Sequence, residues 1–138
     1  MRKPLVIIAS CAVVLVGTAL TPGPRRLIAD LRWGTFTPVA RTFLEAASRH
    51  DSVGLTALAT NPGAVARALV LGRMNGDVAA ISAQSLQPVG GSHSGDTIVV
   101  QFHTSAPVCS PYGGPDEIQF HFLLRYGGPR VASIGGVC

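Results

Sequence analysis

The order of hydrophobic and polar positions divides the chain into a helical half and a strand-forming half. From Thr37 the apolar residues recur three and four positions apart, which is typical of a helix with one buried face. Thr37-Pro38 and Asn61-Pro62 each place a capping residue before a proline, and either Asp51 or Ser52 can cap a short helix between them. The pattern therefore predicts three helices, the last of which ends at Asn75-Gly76.

After Asp77 the spacing of the apolar residues moves towards two, which indicates β-strands. Four strands are predicted, at residues 86–90, 97–104, 117–126 and 130–134, and the segment Gly90–Asp96 (GGSHSGD) is predicted to be a turn. Two apolar sets each share a strand face, namely Ile98, Val100 and Phe102, and Ile118, Phe120, Phe122 and Leu124. Helices followed by strands predict an α+β domain in which N-terminal helices pack on a four-stranded antiparallel sheet.

The first 21 residues have the pattern of a segment that directs a chain to a membrane. Arg2 and Lys3 precede residues 5–20, which carry no charge. Cleavage as a signal peptide after Ala19 and retention as a membrane anchor both remain open. Either outcome predicts an exported domain, periplasmic or extracellular, that contacts the membrane through residues 5–20 if they are retained. Residues 22–36 are then a linker and residues 37–138 the domain.

The three cysteines are consistent with export. Cys11 lies in the apolar leader, where it is either a small apolar residue or the lipidation site of a lipoprotein box at residues 8–11. The remaining pair, Cys109 and Cys138, is predicted to form a disulfide in an oxidising compartment. The alternative is two unrelated buried thiols. A bond would close a loop of about 30 residues and attach the end of the chain to the sheet.

The charge of the chain argues against nucleic acid as a partner. The sequence has 11 basic and 7 acidic residues, and loss of Arg2 and Lys3 with the leader would leave nine basic residues. The arginines are scattered, whereas a nucleic-acid surface needs a clustered basic stripe. Abundant alanine, glycine and arginine beside the single lysine, Lys3, indicates a GC-rich bacterial coding sequence.

The opening helices resemble those of the NTF2-like superfamily. The residues that carry the resemblance are Ala40, Phe43, Leu44, Ala46, His50, Asp51, Leu55 and Leu58, and the order of elements extends it over residues 37–137. The resemblance implies a cone-shaped domain with a pocket between sheet and helices, used for catalysis, small-ligand binding or protein association. Enzymes of that superfamily place an aspartate–histidine or similar polar pair in the pocket. No pair in this sequence matches that position, so the resemblance implies no catalytic residue.

The pattern Gln-Phe-His occurs twice, at Gln101–His103 and at Gln119–His121. If the two strands pair antiparallel, four polar side chains share one face of the sheet, namely Gln101, His103, Gln119 and His121. Histidines on neighbouring strands can bind a metal or transfer a proton, with Asp116 or Glu117 as an acid of unknown position. The other interpretations are a polar binding pocket and a solvated outer face.

Two functions follow from these alternatives. The first is a non-catalytic binding module that contacts a small molecule or a partner protein, without a metal or cofactor. The second is a small extracytoplasmic enzyme that uses His103 and His121. Because a buried phenylalanine ring contributes more to stability than a buried histidine, Phe102, Phe120 and Phe122 are expected to face the helices. The histidines would then lie outside the cleft, which favours the first function.

Overall fold

Helices come first along the chain and strands follow. The computed structural model describes residues 23–105, 117–125 and 127–135. Its helices are α1 (Gly23–Trp33), α2 (Thr37–Ser48), α3 (Ser52–Leu58) and α4 (Pro62–Ser85), with a 3-10 turn at Gly34–Phe36. Its strands are β1 (Gln87–Ser94), β2 (Thr97–His103), β3 (Glu117–Arg125) and β4 (Gly128–Gly135). They form an antiparallel sheet in the order β1-β2-β3-β4, so the predicted α+β class is confirmed. The predicted leader lies outside the described residues.

Two of the three predicted helix caps are confirmed. The Asp51 side chain accepts a hydrogen bond from the Gly54 amide at 2.9 Å, and the Asn61 side chain accepts one from the Ala64 amide at 2.9 Å. The cap predicted at Thr37 is wrong, because the 3-10 turn leads directly into α2 and Thr37 is itself helical. Its buried hydroxyl has no hydrogen-bond partner among the described residues.

The segment 23–36, which the sequence indicates as part of a linker, is helical and packs on the sheet. Of the side chains described in α1, Ala29 and Trp33 are buried, while Leu27, Ile28 and Leu31 are exposed. Trp33 lies over Gly91 of β1, where an added Cβ would be 2.9 Å from the indole Cε2. With so few buried positions, the apolar spacing of α1 does not reveal the helix.

Helix α4 continues beyond the predicted stop at Asn75-Gly76. Asn75 has φ −143° and ψ 50°, so the helix is kinked there and then runs to Ser85. Ala79 and Ala83 in its second part are buried, and the Arg41 Nε donates a hydrogen bond to the Ala83 carbonyl at 3.0 Å. This packing outweighs the weak helix propensity of the Asn-Gly pair, which the local pattern alone cannot show.

Strand β1 is also longer than its pattern predicts. Ser94 pairs with Thr97, so the turn contains only Gly95 and Asp96, and the turn predicted over Gly90–Asp96 is mostly strand. Gly95 has φ 58°, a conformation that glycine adopts readily at the first position of a two-residue hairpin loop. Residues 90–94 have no alternating apolar pattern of their own, so they form a strand because they pair with β2.

The core lies between the sheet and the helices, and all five phenylalanines of the chain are buried in it. The Phe120 ring centroid lies 6.2 Å from that of Phe43, 5.7 Å from that of Phe102 and 5.6 Å from that of Phe122. The predicted apolar faces of β2 and β3 are buried, with one exception. Leu124 is 47% exposed because it pairs with Pro129 near the end of the β3–β4 hairpin.

Candidate functional site

The sheet has a second face that points away from this core, and we call it the open face. On the two central strands it consists of Thr97, Val99, Gln101 and His103 of β2 and Glu117, Gln119, His121 and Leu123 of β3. All of these residues are exposed or half-buried, while the residues between them are buried. The four predicted site residues, Gln101, His103, Gln119 and His121, therefore share one face, as their spacing implies.

The register separates the two histidines along the strands. His103 lies opposite Glu117, and His121 lies opposite Val99, four residues further along the sheet. At a strand rise of about 3.4 Å per residue, the two Cα atoms are roughly 14 Å apart. The two imidazoles therefore cannot share one metal ion or pass a proton directly between them.

The centre of the open face is a pair of amides. Gln101 lies directly opposite Gln119, where Cβ atoms are typically about 5 Å apart. Gly90 and Gly135 take the outer positions of the same row, so no side chain flanks the two glutamines along it. Each amide has donors and an acceptor, and together they can recognise polar groups of either kind.

The row that contains His121 is mixed in character. His121 lies between Val99 of β2 and Ser133 of β4, and Leu123 lies two residues along on the same face. An imidazole beside exposed apolar carbon presents both a hydrogen-bonding edge and contact area. This end of the open face therefore combines apolar carbon with polar groups, including Arg130, which lies opposite Leu123.

His103 lies at the other end, beside a cavity. Its row contains Gln87 of β1 and Glu117 of β3, which makes Glu117 the carboxylate that the register brings opposite it. The cavity is about 330 Å³ and is lined by Asp30 of α1, by Gln87, Pro88 and Val89, and by His103. Asp116, the other acid considered from the sequence, lies outside the described residues.

Metal binding finds no support in the part of the chain that the structure describes. Residues 23–105, 117–125 and 127–135 contain no group of three or more His, Cys, Asp or Glu side chains arranged to hold an ion.

Cys11, Cys109 and Cys138 lie outside these ranges, so the disulfide stays a prediction. None of the helices described is long and apolar enough to cross a membrane, and the proposed membrane segment at residues 5–20 also lies outside the described ranges.

The structure also assembles a region that the sequence did not single out. Two adjoining cavities, of about 380 and 370 Å³, share Ala59 and Thr60 in the connection between α3 and α4. Arg125 of β3 and Arg130 of β4 line the smaller one. These residues come from segments far apart in the chain, so no local motif marks them.

Comparison with protein-family models, with curated proteins and with solved structures finds no match for this chain. The resemblance to the NTF2-like superfamily therefore stays a prediction.

Proposed function

We propose that this protein is an exported binding module, anchored to the membrane or released from it, that contacts a partner protein through the open face. The observation that carries the proposal is the contrast between the two sides of the central strands. One side is buried under helices, and the other presents the Gln101–Gln119 pair between His103 and His121. Export rests on the leader pattern of residues 1–20.

Ring packing between the sheet and the helices, among the residues that the structure describes, favours a surface rather than an internal pocket as the binding site. In the superfamily that the chain resembles, the pocket lies between sheet and helices. Here the rings of Phe43, Phe102, Phe120 and Phe122 contact one another in that layer, and Phe36 packs on Phe122 at 5.1 Å. Close-packed rings leave little room for a ligand, which favours recognition on the outside of the sheet.

The composition of the open face suits a protein partner. Protein interfaces combine apolar contact area with hydrogen-bonding groups, and both occur here on a rigid central pair of strands. Val99 and Leu123 supply half-buried apolar area, while Gln101, Gln119 and His121 supply donors and acceptors. A partner that covers this face would bury the apolar carbon and pair the amides in one step.

A second candidate function is a small extracytoplasmic enzyme, and the position of His103 is the observation that favours it. His103 lies opposite Glu117 and borders the cavity with Asp30 and Gln87. A carboxylate next to a histidine can orient the imidazole for acid–base chemistry. His121 lies outside that arrangement, so such an enzyme would use His103 without it.

Photo-crosslinking in the producing cell tests the binding-module proposal. A benzophenone side chain is introduced at Gln101 on the open face or, as the matched control, at Gln84, an exposed glutamine of α4. The expected result is an adduct of one defined mass from position 101 and none from position 84. The adduct should disappear when Gln119→Arg is added, because the new side chain occupies the facing position.

Equal adducts from both positions would contradict the proposal. An adduct of twice the mass of the chain would instead identify the open face as an interface between two copies. Loss of a measured catalytic activity in His103→Gln, but not in His121→Gln, would favour the enzyme.

Export is tested separately, by fractionation with protease protection. With an intact inner membrane, residues 25–138 should be accessible only from the outside, with the protein in the membrane or extracytoplasmic fraction. Full-length chain recovered in the cytosol would contradict export while leaving the crosslinking result valid.

A further inference from the structure

The two cavities that share Ala59 and Thr60 adjoin each other at an edge of the sheet, and we call them together the depression. The larger is bounded by α3 and the start of α4, and its lining is mostly apolar: Thr56, Ala59, Thr60, Asn61, Pro62, Val65, Ala66 and Leu69. The smaller is bounded by Ala59, Thr60, Arg125 and Arg130. An apolar compartment thus adjoins one that is lined by two arginines.

The depression is held in place by main-chain contacts between distant parts of the chain. Ala59 forms a bridge to Val131 of β4, and the Thr60 amide donates a hydrogen bond to the Val131 carbonyl at 2.9 Å. The Asn61 side-chain amide donates to the Ala132 carbonyl at 3.0 Å. These contacts fasten the α3–α4 connection to the edge strand, so the walls of both cavities are part of the folded framework.

The two arginines lie on the same hairpin. Arg125 pairs with Gly128, and Arg130 pairs with Leu123, which makes the arginines diagonal neighbours, typically about 7–8 Å apart and somewhat less between Cβ atoms. The Arg130 Nη1 donates a hydrogen bond to the Ala57 carbonyl at the end of α3. This contact orients one guanidinium group against α3, and its remaining N–H groups can serve a ligand.

The charged side chains that line the two cavities have one sign. They are Arg125 and Arg130, and the lining contains no aspartate or glutamate among the described residues. The Leu124 amide donates a hydrogen bond to the Asp96 carbonyl, so this acidic residue lies on the neighbouring hairpin, outside the lining. A ligand anion in the cavity would therefore have two guanidinium groups and no carboxylate among the lining residues.

We propose that this depression binds a small amphipathic anion, a carboxylate with an alkyl tail. The carboxylate lies between Arg125 and Arg130, and the tail lies along the apolar compartment against Val65, Ala66 and Leu69. A cavity of about 380 Å³ is within the range of roughly 300–1,000 Å³ typical of small-molecule sites. The arginine end of this site adjoins the open face, because Arg130 pairs with Leu123 and Arg125 follows Leu123 by two residues, but the proposal does not depend on a partner protein.

The proposal is tested by calorimetry, in which decanoate is titrated into the chain as isolated from the cell. Decanol supplies the tail without the charge, and acetate supplies the charge without the tail. We expect decanoate to bind at one site, and to bind more tightly than decanol or acetate does. Because charge-assisted hydrogen bonds are the strong ones, Arg125→Gln with Arg130→Gln should weaken decanoate binding about ten-fold or more and leave decanol unchanged.

The matched control is Arg49→Gln with Arg73→Gln, which removes the same charge from exposed arginines that do not line the cavities. A second variant, Ala66→Phe, fills the apolar compartment from an exposed position of α4 and should abolish binding of both decanoate and decanol. If the two double arginine variants weakened decanoate binding equally, the effect would be one of net charge, and the proposal would be overturned. Undetectable decanoate binding, or unchanged binding in Ala66→Phe, would overturn it as well.

Discussion

Phe120 and His121 are neighbours in β3, and their surroundings show how different the two faces of the sheet are. Phe120 is fully buried and contacts three other phenylalanine rings. His121 is half-buried and lies between Val99 and Ser133 on the open face. One residue of displacement along a strand moves a side chain from the centre of the core to a surface.

The same contrast occurs at two neighbouring glycines of β1. An added Cβ at Gly91 would be 2.6 Å from the Val99 carbonyl oxygen and 2.9 Å from the Trp33 ring, whereas an added Cβ at Gly90 would be 3.5 Å from the Gln101 side chain. Gly91 is itself exposed, yet Trp33 and the Val99 carbonyl leave no room for a side chain there. At Gly90 an added Cβ would make only an ordinary van der Waals contact.

The largest effect is expected from Phe120→Ala. Deleting the ring removes contacts with Phe43, Phe102 and Phe122 and leaves a cavity, which should lower the free energy of unfolding by about 3–5 kcal/mol. The measurement is denaturant unfolding followed by circular dichroism, and the matched control on the opposite face is His121→Ala. If His121→Ala lowered the free energy of unfolding as much as Phe120→Ala, the distinction between the two faces would be contradicted.

The glycine pair should show the same distinction with a smaller effect. Gly91→Ala forces the new methyl group against Trp33 and the Val99 carbonyl, and overpacking of this kind costs about 1–3 kcal/mol. Gly90→Ala should leave stability unchanged or raise it by up to about 1 kcal/mol, because alanine reduces the freedom of the unfolded chain. Thermal unfolding of both variants provides the measurement, and the reverse order of stability would contradict the assignment of Trp33 to the covered face.

The smallest effect is expected from His103→Gln combined with His121→Gln. Both residues lie on the open face about four positions apart, so the free energy of unfolding should change by no more than about 0.5 kcal/mol. Metal analysis of the unmodified protein should find no stoichiometric zinc. Zinc in a 1:1 ratio that is lost in the double variant would show that the histidines act together.

Local patterns were sufficient for the order of the elements from Thr37 onwards and for the faces of β2 and β3. Alternation along Ile98, Val100 and Phe102 identifies the buried side, because successive residues of a strand point to opposite faces. The caps at Asp51 and Asn61 were also predictable, because each acts on an amide three residues away. The shared face of the four Gln and His residues follows from the same local rule.

Tertiary structure decided the rest, since it depends on which distant residues meet. The β2–β3 register places Glu117, rather than His121, opposite His103, and no spacing within either strand reveals that. Packing of Ala79 and Ala83 keeps α4 helical beyond Asn75, and the contact of Trp33 with β1 orders a segment that reads as a linker. Arg130 meets Ala57 across 73 positions of the chain. The sequence by itself thus determined which side chains share a strand face, because that depends on backbone geometry repeated every two residues. The folded chain alone determined which of them are neighbours, because long-range pairing and packing set the register.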